Sequence, residues 1–223
     1  MNLKAVSGLS YAERLEQAAS SRHKAMEQCF DTNLYSLTSL MGPVDGPEWP
    51  SDAAWLAMYR EGVSRIMSDG LSDPWVEANR PATGLGLEVF VETPDVLPAA
   101  DESLLSLADS WMFPMTAEIS HTLASYQRLC GKLLAGEPLS LRFNIEHIKD
   151  GRGLVGALLH IPESLAQVDT ALGPIALVAA TLLTTDELRW LSGRGEPGRR
   201  ELLARLYEQG VGAQSLVARD SVV

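Results

Sequence analysis

The chain has 223 residues and a formal net charge of −11, from 18 Lys and Arg against 29 Asp and Glu. Hydrophobic residues make up 46% and charged residues 21%, which excludes general disorder and suits one large domain or at most two small ones. A field of that sign repels phosphate backbones and anionic lipid, so nucleic-acid and membrane-surface roles are disfavoured and a basic protein partner is favoured, although solubility alone also accounts for such a charge.

Ser10 followed by Glu13 forms a capping box and predicts a helix, along which Leu15, Ala18, Ala19, Met26, Cys29 and Phe30 recur at helical spacing. His23, between Arg22 and Lys24, is expected to face water. Residues 31–50 contain Gly42, Pro43, Gly46, Pro47 and Pro50 and read as a loop with room for one short element at 34–40. Ser51 and Asp52 predict the cap of a short helix carrying Trp55, Leu56 and Tyr59 and closed by Gly62. Strands are predicted at about 63–68 and 85–92. In the second, Leu85, Leu87, Val89 and Val91 alternate with Gly86, Glu88, Phe90 and Glu92, which predicts one buried face and places Glu88 and Glu92 on a solvated one. Between the two strands, Ser68-Asp69-Gly70-Leu71-Ser72-Asp73-Pro74-Trp75 is a sharp polar turn: Gly70 permits backbone angles other residues resist, and Pro74 ends any continuation.

Residues 101–136 turn helical, with Asp101 as a cap and a stripe of Leu104, Leu105, Ala108, Trp111 and Met112. Pro114 is predicted to break or kink this helix, and a second helix carries Ile119, Leu123, Tyr126, Leu129, Cys130, Leu133 and Leu134, with His121 off the stripe and exposed. A hairpin follows: Leu139, Leu141, Phe143 and Ile145 alternate with polar residues, Asp150-Gly151 supplies the turn, and the return strand 154–161 is apolar on both faces and so central. Residues 162–173 connect to another two-faced strand at 175–183. Thr184 with Glu187 predicts a capped helix through Leu188, Trp190 and Leu191, then Gly193, Gly195, Pro197 and Gly198 a turn, then a final helix at 199–209. The tail 215–223 suits a last short strand. This order predicts an α/β (α+β) single domain with a mixed central β-sheet flanked by helices, divided as an N-terminal helical segment at 1–33 and the domain proper at 34–223.

The chemistry is less defined. Cys29 and Cys130 fall on apolar helical faces, which predicts buried free thiols, and no metal-binding Cys spacing occurs. The N-terminus lacks a signal-peptide pattern and the longest apolar run, 175–183, is too short for a membrane span, so a reducing cytoplasm is expected. GxSxG, P-loop and HExxH patterns are absent, and Gly84-Leu85-Gly86 precedes a strand rather than a helix. His147 and His160 fall roughly 20 Å apart along the hairpin and cannot share a metal. Asp69 and Asp73 could hold a cation with Glu77, though a polar turn accounts for them better. No catalytic residue, metal or cofactor is therefore assigned. Two alternatives stay open: a hydrolase-like enzyme with an unrecognised site assembled across the fold, and a structural or oligomerising subunit. Trp49, Trp75 and Trp190 lie in or beside loops as candidate interface anchors. Trp75, rimmed by Asp69, Asp73 and Glu77, is the candidate partner-binding surface for a basic protein.

These pieces, in this order, resemble the Suppressor of fused (Sufu) domain family. The resemblance rests on Ser68 to Pro74, on Gly86-Leu87-Glu88-Val89-Phe90-Val91, on Leu139 to Phe143 and Gly153 to Leu159, and on Leu182 to Trp190, Gly195, Leu202-Leu203 and Arg219-Asp220-Ser221-Val222. It covers residues 34–223 and implies a mixed, twisted sheet. The family's two-domain animal member sequesters a transcription factor by gripping an extended peptide; single-domain bacterial forms are thought to be immunity proteins that neutralise toxins. The resemblance implies a non-enzymatic protein-binding domain of the bacterial form, an immunity-type inhibitor of a toxin or other protein, with no catalytic residues and no cofactor.

Overall fold

The computed structural model describes residues 9–37, 49–77, 79–98, 104–145, 148 and 155–223. Ser10 caps helix α1 (Tyr11–Phe30): its side chain accepts the Glu13 amide at 3.3 Å while the Glu13 carboxylate accepts the Ser10 amide at 2.7 Å. Strands β1 (Tyr35–Leu37), β2 (Ala54–Arg60), β3 (Val63–Asp69) and β4 (Leu87–Thr93) follow. The helix expected around Trp55 and Leu56 is strand β2. Both its faces are covered, so its apolar residues run consecutively and mimic a helical segment. Arg60 pairs with Val63 across Glu61 and Gly62, whose φ values of 50° and 82° make the tight turn that suits a right-twisted hairpin.

Beyond a 3-10 stretch at Leu104–Asp109 come α2 (Met112–Ser125) and α3 (Arg128–Leu134). Pro114 does not break the helix. It sits in the first turn of α2, where its missing N–H has no carbonyl to meet. The break falls instead at Tyr126 (φ −122°, ψ 63°), inside the segment expected to be one helix. Strands β5 (Leu139–Phe143) and β6 (Val155–His160) form the predicted antiparallel pair; His147 and the Asp150-Gly151 turn lie outside the described residues. The chain ends through β7 (Val168–Thr170), β8 (Gly173–Leu183), α4 (Thr185–Trp190) and α5 (Gly195–Glu208). The Gly195 to Gly198 turn is the first turn of α5, and Pro197 is accommodated there as Pro114 is in α2. Among the described residues the tail forms no strand, only a parallel bridge between Glu92 and Gln214.

The sheet order is β1-β2-β3-β4-β8-β6-β5, with β7 paired to the start of β8. β4 and β8 are parallel and the other described pairs antiparallel, so the sheet is mixed, as expected. Alternation along the strands separates two faces. Leu87, Val89, Val178 and Ala180 pack with Met112, Ile119 and Leu123 of α2 and Leu133 of α3. Their neighbours Phe90, Leu177 and Ala179 pack with Ala25 and Met26 of α1. On that same face Leu158 and Leu183 meet Leu188 of α4 and Leu202 and Leu206 of α5. Helices thus cover both faces, which explains why β4, β6 and β8 have little polar patterning.

The approach of α4 to β6 is close. A Cβ built on Gly156 would lie inside contact distance of Leu188, with Cδ1 at 2.8 Å and Cγ at 2.9 Å. Gly156→Ala should therefore destabilise the fold by about 1–3 kcal/mol through overpacking. Denaturant unfolding checks this, and Leu188→Ala in the same chain should recover part of the loss; simple additivity of the two changes would refute the steric account.

Candidate binding site

The polar turn after β3 is built around a buried carboxylate. Glu88, on the β4 face beneath α1, is fully enclosed. It accepts Ser68 Oγ at 2.5 Å, Ser72 Oγ at 2.6 Å, and the amides of Gly70, Leu71 and Ser72 at 3.1, 3.3 and 2.9 Å. Gly70 holds φ 136°, and a Cβ there would sit 2.8 Å from the Asp52 carbonyl oxygen, so the chain wraps the carboxylate only with glycine at that point. Arg22 reaches in from α1: Nη2 and Nε donate to Asp69 Oδ1 at 2.5 and 2.8 Å, Nη1 donates to Asp73 Oδ1 at 2.6 Å, and Nε lies 3.7 Å from Glu88. Ser51 donates to the other Asp73 oxygen. His23 Nε2 meets Asp69 Oδ2 at 2.8 Å. Glu88 is therefore not solvated, because α1 covers the β4 face that alternation assigned to water, and His23 is held by Asp69 rather than free in water.

The electrostatics follow from this packing. Burial raises the Glu88 pKa despite the Arg22 charge and the serine donors. Burial also acts upward on Asp69, but the His23 bond and the Arg22 charge outweigh it and hold that carboxyl below its ordinary range. Arg22 is pulled down by burial and lifted further by the three carboxylates, so its pKa rises.

Three of the four predicted partner-binding residues face inward. Asp69 and Asp73 do share a cation, the Arg22 guanidinium. Trp75 is 3% exposed, packed in the α2-side core beneath Arg80, whose Cζ stands 3.2 Å from the ring centroid. Glu77 is exposed. Trp49 is also interior: it packs edge-on against Trp55 and His121, and its indole N–H donates to His121 Nδ1 at 3.2 Å. Partly exposed Trp190 lies under Arg194 and Arg205. Cys29 is exposed, contrary to expectation, whereas Cys130 is buried and its thiol is pushed up to about 12 by burial. The residue missed in the sequence was Arg22. Its signal was a cation inside the stripe of Ala18, Ala25 and Met26, all buried on one face of α1.

A second constellation joins the tail to the sheet. β4 and β8 are paired as far as Phe90 and Ala179, and then β8 continues alongside β6. Ser215 enters at that divergence: its amide donates to Glu92 O and its hydroxyl to Ala180 O, both at 2.8 Å, while it accepts the Leu182 amide at 2.8 Å. Glu187 at the start of α4 accepts the Thr184 amide at 2.9 Å, Arg219 at 2.5 and 2.6 Å, and the Val222 amide at 3.1 Å. Arg219 also donates to Leu182 O at 3.0 Å. Between tail, β8 end and α4 lies a cleft of about 240 Å³, lined by Val155, Leu182, Leu188, Leu216, Val217 and Arg219 among others.

His160, at the end of β6, meets Tyr207 Oη at 3.0 Å, and burial pushes its pKa down to about 4. An imidazole depressed in the fold binds fewer protons than in the unfolded chain. Its contribution is thus complete above the unfolded value of about 6.5 and is lost as pH falls toward 4. His23 acts oppositely: its bond to Asp69 raises its pKa, so its contribution is complete below about 6.5 and is lost as pH rises through the folded value. Stability measured by urea unfolding should climb between pH 4 and 6.5, by about 3 kcal/mol from His160. His160→Gln should flatten that limb and His23→Gln the decline above it; an unchanged profile in either variant would refute that assignment.

Among the described residues no group of three His, Cys, Asp or Glu is placed to hold a metal ion, and no helix is long and apolar enough to cross a membrane. No protein-family model and no curated protein matches the chain in sequence. Solved structures do match. A chain in the crystal structure of the Sufu–Fu complex is 18% identical with a TM-score of 0.58, over 92% of this chain and 92% of that one. Drosophila Suppressor of Fused is 16% identical with a TM-score of 0.59, over 92% of this chain and 51% of that one, so the present chain spans about half its length. With order, sheet and coverage in agreement, the chain has the Suppressor of fused fold, a mixed α/β sheet in a single domain.

Proposed function

We propose that this chain is a non-enzymatic protein-binding domain, an immunity-type inhibitor that sequesters a protein toxin in the bacterial cytoplasm. The observation that carries the reading is the match, over nearly the whole of both chains, to a chain crystallised as part of a protein complex. The polar residues lend support, because the most reactive buried groups are committed to one another. Asp69, Asp73 and Glu88 surround Arg22, Glu187 holds Arg219, and His160 is bonded to Tyr207. The net charge of −11 favours a basic partner. The surface beyond the 68–75 turn is the proposed contact. Glu77 and Val76, the latter 62% exposed, present it, while the side chains of Asp69, Asp73 and Trp75 turn inward.

The test uses the product of the reading frame adjacent to this one, purified and titrated calorimetrically, with growth of cells producing that product in the presence and absence of this chain as a second readout. A one-to-one complex weakened by salt, with restored growth, is the expected result. Neither complex nor protection, or turnover of a small substrate that one polar substitution abolishes, would overturn it.

A further inference from the structure

Trp49 is 7% exposed and closes a ring cluster with Trp55 of β2 and His121 of α2. Its ring centroid lies 5.9 Å from that of Trp55 and 5.7 Å from that of His121, and Trp55 stands 5.7 Å from His121, all edge-on. An indole N–H only donates. The 3.2 Å contact from Trp49 Nε1 therefore makes His121 Nδ1 a bare acceptor and puts the ring proton on Nε2. A proton added to Nδ1 would leave two donors facing each other and end that bond. Burial among the rings lowers the His121 pKa, and the charge of Glu118, three residues earlier on α2, pulls it the other way. Glu118 is exposed, so it offers the imidazolium a place outside the cluster at helical i,i+3 spacing. Among the described residues it is the charged group that acts on this imidazole; β2 and the 49–52 segment turn uncharged Trp55 and Trp49 toward it. The closed cluster also carries a cost of its own, because Trp55 Nε1–H is enclosed without an acceptor.

We infer that His121 is a pH-operated latch: the neutral imidazole holds Trp49 in the core, and the imidazolium turns to Glu118 and lets Trp49 out. The latch acts on a segment with reach. Tyr11 Oη donates to the Pro50 carbonyl at 3.3 Å, Ser51 donates to Asp73, and a Cβ on Gly70 would meet the Asp52 carbonyl oxygen at 2.8 Å. Trp49 is thus the apolar end of a strip, 49–52, laid against the 68–75 turn, and its release loosens that strip. The latch needs no partner at the turn to operate, so it stands apart from the protein-binding reading.

The test follows the Trp49 indole N–H of the whole protein by NMR, assigned by its loss in Trp49→Phe, and measures its protection against solvent exchange as pH is lowered. Protection should fall by about tenfold for each pH unit below about 6.5, until the lowered folded value of His121 is passed. The amide of Val178, buried at the centre of the sheet, should not follow it, which separates a local opening from global unfolding. His121→Gln supplies an amide oxygen that accepts the indole N–H and carries no titratable proton, so protection should become independent of pH. Glu118→Gln, at an exposed position, removes the imidazolium's partner and should shift the opening to lower pH with unfolding in urea at pH 7 unchanged. Protection of Trp49 that ignores pH between 6.5 and 4, that falls as steeply in His121→Gln, or that falls only together with the Val178 amide would overturn the latch. So would an opening unmoved in Glu118→Gln.

Discussion

Arg22→Ala should destabilise the protein by about 3–5 kcal/mol, because it leaves Asp69, Asp73 and Glu88 in one enclosed space without a cation. Each carboxylate would then gain stability by taking up a proton, so its folded pKa would rise. A raised carboxyl pKa contributes stability at low pH that is lost as pH increases through the folded value. The gap between wild type and Arg22→Ala should therefore narrow as pH falls from 7 toward 4. This separates loss of charge from loss of packing, which would give a gap independent of pH. Arg22→Met keeps most of the volume and should show the same narrowing. Arg22→Lys restores the charge but not the planar fork that reaches Asp69 and Asp73 together, and should lie between. Urea unfolding at several pH values is the measurement. A loss under 1 kcal/mol at pH 7 would show that the turn is held by the serine and amide donors to Glu88 alone.

Glu187→Ala should have the next largest effect, again about 3–5 kcal/mol. One carboxylate closes the capping box of α4, neutralises Arg219 and accepts the Val222 amide. Its removal strands a guanidinium that is 6% exposed and detaches the tail from β8. Because Glu187 and Arg219 act through one contact, combining Glu187→Ala with Arg219→Ala should cost much less than the two separate losses. Carboxypeptidase digestion supplies an independent readout: residues beyond Ser215 should be trimmed faster in Glu187→Ala while α5 stays intact. A strictly additive double mutant would mean that the ion pair contributes nothing beyond each residue's own packing.

Much of this architecture was legible in the sequence, and the misses share a cause. Both capping boxes, Ser10 with Glu13 and Thr184 with Glu187, are local hydrogen-bond patterns within four residues, and both are present as expected. The β5–β6 pair and the two-faced strand β8 are readable from alternation and from short runs apolar on both faces. The segment holding Trp55 and Leu56 reads as helical because a strand covered on both faces loses its period of two: Trp55 and Ala57 enter one core and Leu56 and Met58 the other. At Pro114 the residue's effect depends on where the helix begins, a boundary that packing against β3 and β4 decides.

The site shows the same division. Sequence singled out Asp69, Asp73, Trp75 and Glu77 by their turn, and the turn forms; their burial, Glu77 excepted, could not be read from local spacing. What the amino-acid order settled unaided was what a run of a few residues satisfies by itself: the two capping boxes, the polar turn after β3, the alternation of β5 and the acid excess. What folding alone decided was where charge meets charge, since Arg22 lies 47 residues from Asp69 and Glu187 lies 32 from Arg219. Only when distant segments are packed does the cost of enclosing an ion fall on a particular partner, and that energy, absent from any local stretch of chain, selects the arrangement.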